Sequence, residues 1–592
     1  MLNKNKKESL NRLLKWLPYI LFFIFVFLFF CFRADHIFVY QEKYSLFIFS
    51  SEYLRDCLSQ PGALLKYLSG FLSAFYYYPV AGSLIATTVI ILSIIQLSTI
   101  IKLTTSKENL FIPFLAGLLM FYLQTDYSYM LCNNLGILIQ LIAINLTIRY
   151  FKNFWPIMIL PVWYFLNGGF AWMFYGVYCA WLIKSGFKKN LVKIILTIII
   201  AVATVFVAAE FIFWNSYLTL IEYPWSPGIS NTDNIIFACL VLLICTTPLL
   251  SGFKFRIRSG TTLKQKTAYI TGIAFLLVGL TVSALLRYDE KSNRYFKAEK
   301  LFYEGRYEDL ISFNIKYPTK NIITLYLNNI ALCETGKLNE MLFTFPQSPD
   351  GSTLFFKWTI ENEILRHGGN FYFTTGMINE ALRWAYEYMV MRGYTPEGLK
   401  MMIKCELING NYQSAKNYIE LLKRTIFYRK TAIEFEKLLY NDEAIINHHQ
   451  LGAKKKMIAY RDFFVITDFP QVNLEKMLST DSLYKNKNAW EYWMAWLMLN
   501  KSYRGIADEW FKIDKYGFTK IPRHIEEAAV AMRTLLNVNL SDIPGLRISS
   551  SVERKYLQFL QIFQASGADP EKAEPFLRKD FGNTFWYYIF YK

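Results

Sequence analysis

The chain offers almost nothing to hold a metal or a redox pair. Its eight cysteines contain no CxxC, and its five histidines, His448-His449 included, have no ligand spacing. Structural zinc and CxxC redox chemistry are thereby excluded, and no disulfide framework is visible around Cys333 and Cys405. Neither GxxxxGK[ST] nor GxSxG occurs, so no P-loop and no nucleophile elbow is present and no cofactor is expected. Acidic residues are nearly missing from the apolar runs, where Glu210 stands alone, which argues against a transport pathway. The last shortage is one of position: after Arg287 no apolar run of membrane-spanning length occurs, whereas before it such runs recur.

The chain of 592 residues therefore divides into a membrane part, 1–287, and a water-soluble part, 288–592. Its net charge of +18 is +13 in the first part and +5 in the second. With no concentrated basic stripe in the soluble part, nucleic acid is not an expected partner; the lipid bilayer is. The first apolar run, 16–32, follows Lys4, Lys6, Lys7, Arg12 and Lys15 and lacks a small-x-small cleavage site, so it reads as an uncleaved anchor.

Further runs at 78–101, 110–123, 131–148, 154–166, 168–183, 191–214, 235–250 and 267–286 give nine spans. The stretch 154–183 is broken by Pro161 and Asn167-Gly168-Gly169, and counting it as two crossings keeps Lys184, Lys188 and Lys189 inside, as the positive-inside rule demands. On that count the N-terminus is cytoplasmic, the first outside loop is 33–77, and 288–592 lies outside a bacterial inner membrane, in the periplasm.

Residues 288–592 read as helical throughout, with apolar residues at three- and four-residue spacing, as in Ala381, Leu382, Ala385, Tyr386 and Met389. Between helical stretches one turn recurs: Gly305-Arg306-Tyr307, Gly336-Lys337-Leu338, Gly410-Asn411-Tyr412 and Lys501-Ser502-Tyr503. It resembles the helix-A-to-helix-B turn of tetratricopeptide repeats, at irregular intervals of 31, 74 and 91 residues. An all-α chain is expected, a transmembrane bundle followed by degenerate helical repeats. Such a stack leaves one face open to a protein partner. The aromatic end, Phe585 to Tyr591, is too short to span and reads as a capping helix or anchor.

Chemistry is sought in the first outside loop. It opens on Arg33 and Asp35-His36, continues through Glu42, Arg55 and Asp56, turns at Pro61-Gly62 and passes Lys66. The stretches on both sides of that turn are amphipathic and aromatic, suited to lying along a membrane surface. This layout resembles the polyprenol-phosphate-dependent glycosyltransferases of the multi-spanning C type. The resemblance implies a loop carboxylate as catalytic base, Asp35 in the first place and Glu42 or Asp56 after it. It also implies a polyprenol-phosphate-sugar donor held by Arg33, His36, Arg55 and Lys66. No paired-acid motif accompanies Asp35, and as a helix terminus it also reads simply as the point where the membrane ends.

The run Tyr67-Leu68-Ser69-Gly70-Phe71-Leu72-Ser73-Ala74-Phe75-Tyr76-Tyr77-Tyr78-Pro79 resembles a second group, uncharacterised bacterial envelope proteins with a multi-spanning N-terminal part and a tetratricopeptide-like tail. Among other features, Glu210 reads as an interfacial carboxylate ahead of a proton relay, and Asp126, Asn133 and Asn134 as turn residues ahead of companions of Asp35 in a cleft. Residues 222–228 read as a rigid loop, and Lys454-Lys455-Lys456 as a solvated helix face.

Overall fold

In hydrocarbon a backbone can satisfy its N–H and C=O groups only internally, and the apolar runs of this chain are accordingly helices. A computed structural model describes the backbone of all residues except 1, 106–108, 151–153, 226–229, 251–262, 459–462, 481–484, 539, 541–542 and 544–545, and no side chains at 2–14, 263–266, 268 and 362. The expectations on Lys4, Lys6, Lys7, Arg12 and residues 226–228 fall on those residues. No β-strand occurs among the described residues. Contacts divide the chain into two compact units, Met1–Asn293 with Arg424–Phe427, and Arg294–Lys423 with Tyr428–Lys592.

The first unit contains α1 (Leu2–Phe32), α2 (His36–Tyr44), α3 (Ser51–Leu58), α4 (Ala63–Ala74), α5 (Pro79–Thr105), α6 (Phe111–Gln124) and α7 (Leu131–Tyr150). After these come α8 (Trp155–Met158), α9 (Leu160–Asn167), α10 (Ala171–Val207), α11 (Tyr217–Glu222), α12 (Asn231–Leu250) and α13 (Leu263–Arg287). Six stretches of the described chain are long and apolar enough to cross a membrane: Lys15–Phe32, Pro79–Thr105, Leu131–Tyr150, Leu160–Ile212, Asn231–Leu250 and Tyr269–Arg287.

The expected count of nine differs because α6 has only 14 residues and because Leu160–Ile212 forms a single run of 53. As one straight rod that run would be about 80 Å long, far beyond a hydrocarbon core of about 30 Å. It is not straight. Residues Gly168–Phe170 break it, and Gly186 (φ 135°, ψ 96°) breaks α10. Asn190 Nδ2 donates to Leu182 O at 3.1 Å across eight residues, which a continuous helix would hold about 12 Å apart. The chain folds sharply at Gly186.

Hydroxyls inside the apolar helices bond their own backbone: Ser83, Ser93, Ser98 and Thr99 of α5 each donate to the carbonyl four residues earlier. Between α1 and α5, α2 is mostly buried. Both α3, capped by Ser50 Oγ accepting from Tyr53 N–H at 3.0 Å, and α4 leave leucines uncovered: Leu54, Leu58, Leu64 and Leu68.

The second unit is built from helical hairpins closed by one repeated turn. Helices ending at Tyr303, Glu334, Thr374, Asn409, Leu499 and Ala565 all finish with the same pair of backbone bonds, closed by Gly305 and Arg306, Gly336 and Lys337, Gly376 and Met377, Gly410 and Asn411, Lys501 and Ser502, and Gly567 and Ala568. This is the Schellman ending, which needs a left-handed residue; φ there runs from 53° at Lys501 to 82° at Gly376.

The hairpins do not form an open row. Ile322–Glu334 and Leu338–Met341 touch Lys487–Leu499, and Leu338–Met341 also touches Arg523–Leu536. Asn339 Nδ2 donates to Glu491 O at 3.1 Å and Phe343 N–H to His524 Nε2 at 3.2 Å, so the late helices return to the second hairpin. The C-terminal Phe585–Tyr591 is seated inside this unit, with Trp586 Nε1 donating to Glu527 O at 2.7 Å and Phe585 N–H to Glu527 Oε2 at 2.8 Å.

One reading of the lysine run needs correction. Lys454 is not on a solvated face; it is buried, 2.7 Å from Glu334 Oε1 and 3.0 Å from Thr374 O, because its helix packs against the ends of two others. His448 has a local role, its Nδ1 accepting the N–H groups of Gln450 and Leu451 at the start of the helix Leu451–Met457.

Candidate functional site

Asp35 lies in the tight passage from α1 to α2. The first helix ends with the N–H groups of Arg33 and Ala34 both donating to Phe29 O, at 2.9 and 3.1 Å. Asp35 then takes the N-cap of α2 without a side-chain cap bond, and its carbonyl accepts from Phe38 and Val39. Its half-buried carboxylate attracts the next residue, His36, as does Asp289. Burial dominates over both: it lowers the His36 imidazole to about 4, leaving the ring neutral at pH 7. Arg33 sits with its guanidinium 5.1 Å from the centre of the Tyr288 ring, and its carbonyl accepts from Asn293 Nδ2 at 2.9 Å. Three of the sequence-selected residues are thus gathered beside Tyr288 and Asp289, just past α13.

The others are placed elsewhere on the loop. Glu42 is buried on α2 next to Gln41, whose Nε2 bridges the carbonyls of Tyr127 and Tyr129 at 3.1 and 2.9 Å. Arg55 and Asp56 are exposed on α3. Asp56 and Lys66 share a neighbour in Cys57, whose thiol burial pushes up, and Lys66 Nζ is 6.0 Å from the centre of the Tyr223 ring. Glu210 is exposed at the end of its apolar run and accepts from Tyr217 OH.

A charged cluster that sequence reasoning did not assemble stands where α6, α12 and α13 meet. Arg287 lies 3.0 Å from Asp126 Oδ2 and 3.3 Å from Asp233 Oδ1, and donates through Nε to Thr125 Oγ1 at 3.2 Å. Its guanidinium also lies 4.9 Å from the centre of the Tyr122 ring. Asp233 is fully buried in the first turn of α12. Beside this cluster Asn134, also fully buried, donates to Gln124 Oε1 at 2.8 Å and accepts from Tyr129 OH at 3.1 Å. The partners of Arg287 are 161 and 54 residues away in sequence; the only signal was an acid beside each of two turns.

Three turns noted separately in the sequence meet main chain to main chain. Gly62 N–H donates to Phe165 O at 2.9 Å, and Gly169 N–H to Tyr223 O at 2.7 Å. A Cβ on Gly168 would stand 2.4 Å from Tyr223 O, and one on Gly169 would stand 2.4 Å from Ile221 O. The Pro61-Gly62 turn, the Asn167-Gly168-Gly169 break and the Tyr223-Pro224 loop therefore form one junction that fixes the start of α4 against α9.

Apolar cavities lie among the described residues of this unit. One, about 60 Å³, is lined by Pro18, Phe114, Tyr269 and Leu276 with neighbours on α6 and α13. Another, about 310 Å³, lies between α7, α8, α9 and α10. Neither is lined by Asp35 or by a cation. Among the described residues no group of three or more His, Cys, Asp or Glu is arranged to hold a metal ion.

Residues 11–592 match the model of a family described as a family of unknown function (DUF6057). No curated protein and no solved structure matches the chain.

Proposed function

The chain belongs to this family of unknown function, and we propose that it is a polytopic inner-membrane protein that transfers a sugar from a lipid-phosphate donor at the outer membrane face. The observation that carries the reading is the order of parts around Asp35. A spanning helix ends, Arg33, Asp35 and a neutral His36 follow at once, and amphipathic helices with an uncovered leucine edge lead into the next span. In this reading the chain crosses nine times with its N-terminus inside, and the second unit, a tetratricopeptide-like stack, is periplasmic.

Asp35 takes the proton of the acceptor hydroxyl as that oxygen attacks the anomeric carbon. The bond from that carbon to the phosphate oxygen breaks, and the lipid phosphate leaves with the electron pair, its charge met by Arg33. The test is an assay of membranes with a polyprenyl-phosphate sugar, comparing the native chain with Asp35→Asn at equal protein abundance. Loss of product supports the assignment, and unchanged product overturns it.

A second reading is favoured by the hairpin unit. The helix Ile378–Arg392 leaves Tyr386, Val390 and Met391 at least half exposed, and the first two share one face four residues apart. In this reading the protein is a scaffold that recruits a protein through that row. A photo-crosslinking residue in place of Val390 in the full chain then gives one discrete adduct that Tyr386→Glu abolishes. A substitution at exposed Phe576 serves as control; the same adduct from both positions, or none, would sink the idea.

A further inference from the structure

Between residues 127 and 209 the sequence holds six Lys or Arg and no Asp or Glu. Two of these cations, Arg149 and Lys193, lie on helices that line the larger groove, whose lining includes Ile142, Leu146, Pro156, Ile159 and Trp163. On α7, Ile142, Leu146 and Arg149 follow at steps of four and three, so Arg149 shares the lining face one turn further on. From α10, Lys193 Nζ lies 5.5 Å from the centre of the Phe154 ring, two residues before the lining Pro156. Ile142, Leu146 and Ile159 are 37%, 46% and 38% exposed, so the groove opens sideways. Around helices of spanning length, sideways is hydrocarbon.

We infer that this groove holds an anionic glycerophospholipid, one acyl chain in the apolar channel and the phosphate at Arg149 and Lys193. An apolar channel offers a headgroup no partner, while two cations without a nearby acid in sequence select negative over zwitterionic headgroups. The site is independent of the proposed transfer reaction. The start of α7 is the end near the first loop, where Tyr129 O accepts from Gln41 of α2, and Arg149 lies about 27 Å from Leu131 along that helix.

The test is native mass spectrometry of the full chain, released from detergent with equimolar phosphatidylglycerol and phosphatidylcholine of identical chains. The native protein should retain phosphatidylglycerol about thirtyfold over phosphatidylcholine, the order expected of two basic side chains at a lipid headgroup. R149Q/K193Q should bring the ratio to about one, and R149K/K193R should keep it. Ala143→Trp, which fills the lining, should lower retention of both lipids. Equal retention by the native chain, or a preference that survives in R149Q/K193Q, overturns the site. Should Ala143→Trp fail to fold, the charge variants still decide the matter.

Discussion

The guanidinium of Arg287 lies 3.3 Å from the carboxylate of Asp233, a side chain with no exposed surface. Removing the cation leaves that charge buried without its counter-ion, and such losses cost about 3 kcal/mol or more. Arg287→Ala should therefore lower the thermal unfolding temperature of the purified chain sharply. Asp233→Asn, which leaves Arg287 its pair with Asp126, should cost less than half as much. Adding Asp233→Asn to Arg287→Ala should recover part of the loss. Equal melting temperatures for Arg287→Ala and the native protein would contradict the assignment.

Two glycines of the same turn should respond differently to alanine. A Cβ at Gly336 meets nothing within 4 Å, so Gly336→Ala carries only the left-handed backbone cost of about 1 kcal/mol. At Gly376 the Cβ would stand 2.9 Å from Met457 Cβ and 3.0 Å from Met457 O. Gly376→Ala should cost at least twice as much, measured by denaturant unfolding of the full chain.

His36 should make the first unit sensitive to acid. Burial lowers its pKa to about 4 from an ordinary 6.5. Between those values the unfolded chain binds the proton and the folded chain does not, so stability is full above about 6.5 and falls as pH drops towards 4. The loss is on the order of 3 kcal/mol. A melting-temperature series from pH 7 to 4 should slope downwards, and His36→Gln should flatten it.

Glu491 should act in the opposite sense in the second unit. Burial raises its carboxyl to about 8, against Lys487 and the Leu338 N–H. The folded chain therefore keeps a proton that the unfolded chain gives up near 4.5, and stability contributed by the neutral form is lost as pH rises towards 8. Glu491→Gln should raise the melting temperature at pH 8.5 by more than at pH 6. A uniform effect at both would mean that the carboxyl titrates normally.

Local chemistry was legible in the sequence, and long-range pairing was not. Gly305, Gly336, Gly410 and Lys501 announced their turns because a left-handed residue, a polar residue and an aromatic or leucine follow in order. Gly376 closes the same turn but is followed by Met377-Ile378, so it went unseen. Segments 154–166, 168–183 and 191–214 were separable because Gly168-Gly169 and the lysines around Gly186 interrupt the apolar pattern, although helix continues through most of them. The first loop was readable as amphipathic helices, but not that Glu42 would be buried while Asp56 stays in solvent. Arg287 was visible as the end of the last apolar run; which acids it would meet depended on how α6 and α12 pack, which no local pattern encodes.

The junction of Gly62, Gly168 and Gly169 bears on ancestry. Where side chains pack, a substitution on one side can be answered by another on its partner, and over time both drift. Main-chain oxygens have no alternative residue to offer, so a position whose missing Cβ makes room for one cannot drift in step with anything. Chains descended from a common ancestor with this fold should therefore keep glycine at 168 and 169 long after their helices have diverged, with Pro61-Gly62 and Tyr223-Pro224 beside them. Those few positions, separated by long stretches of interchangeable apolar residues, form a lineage mark by which distant kin can be traced.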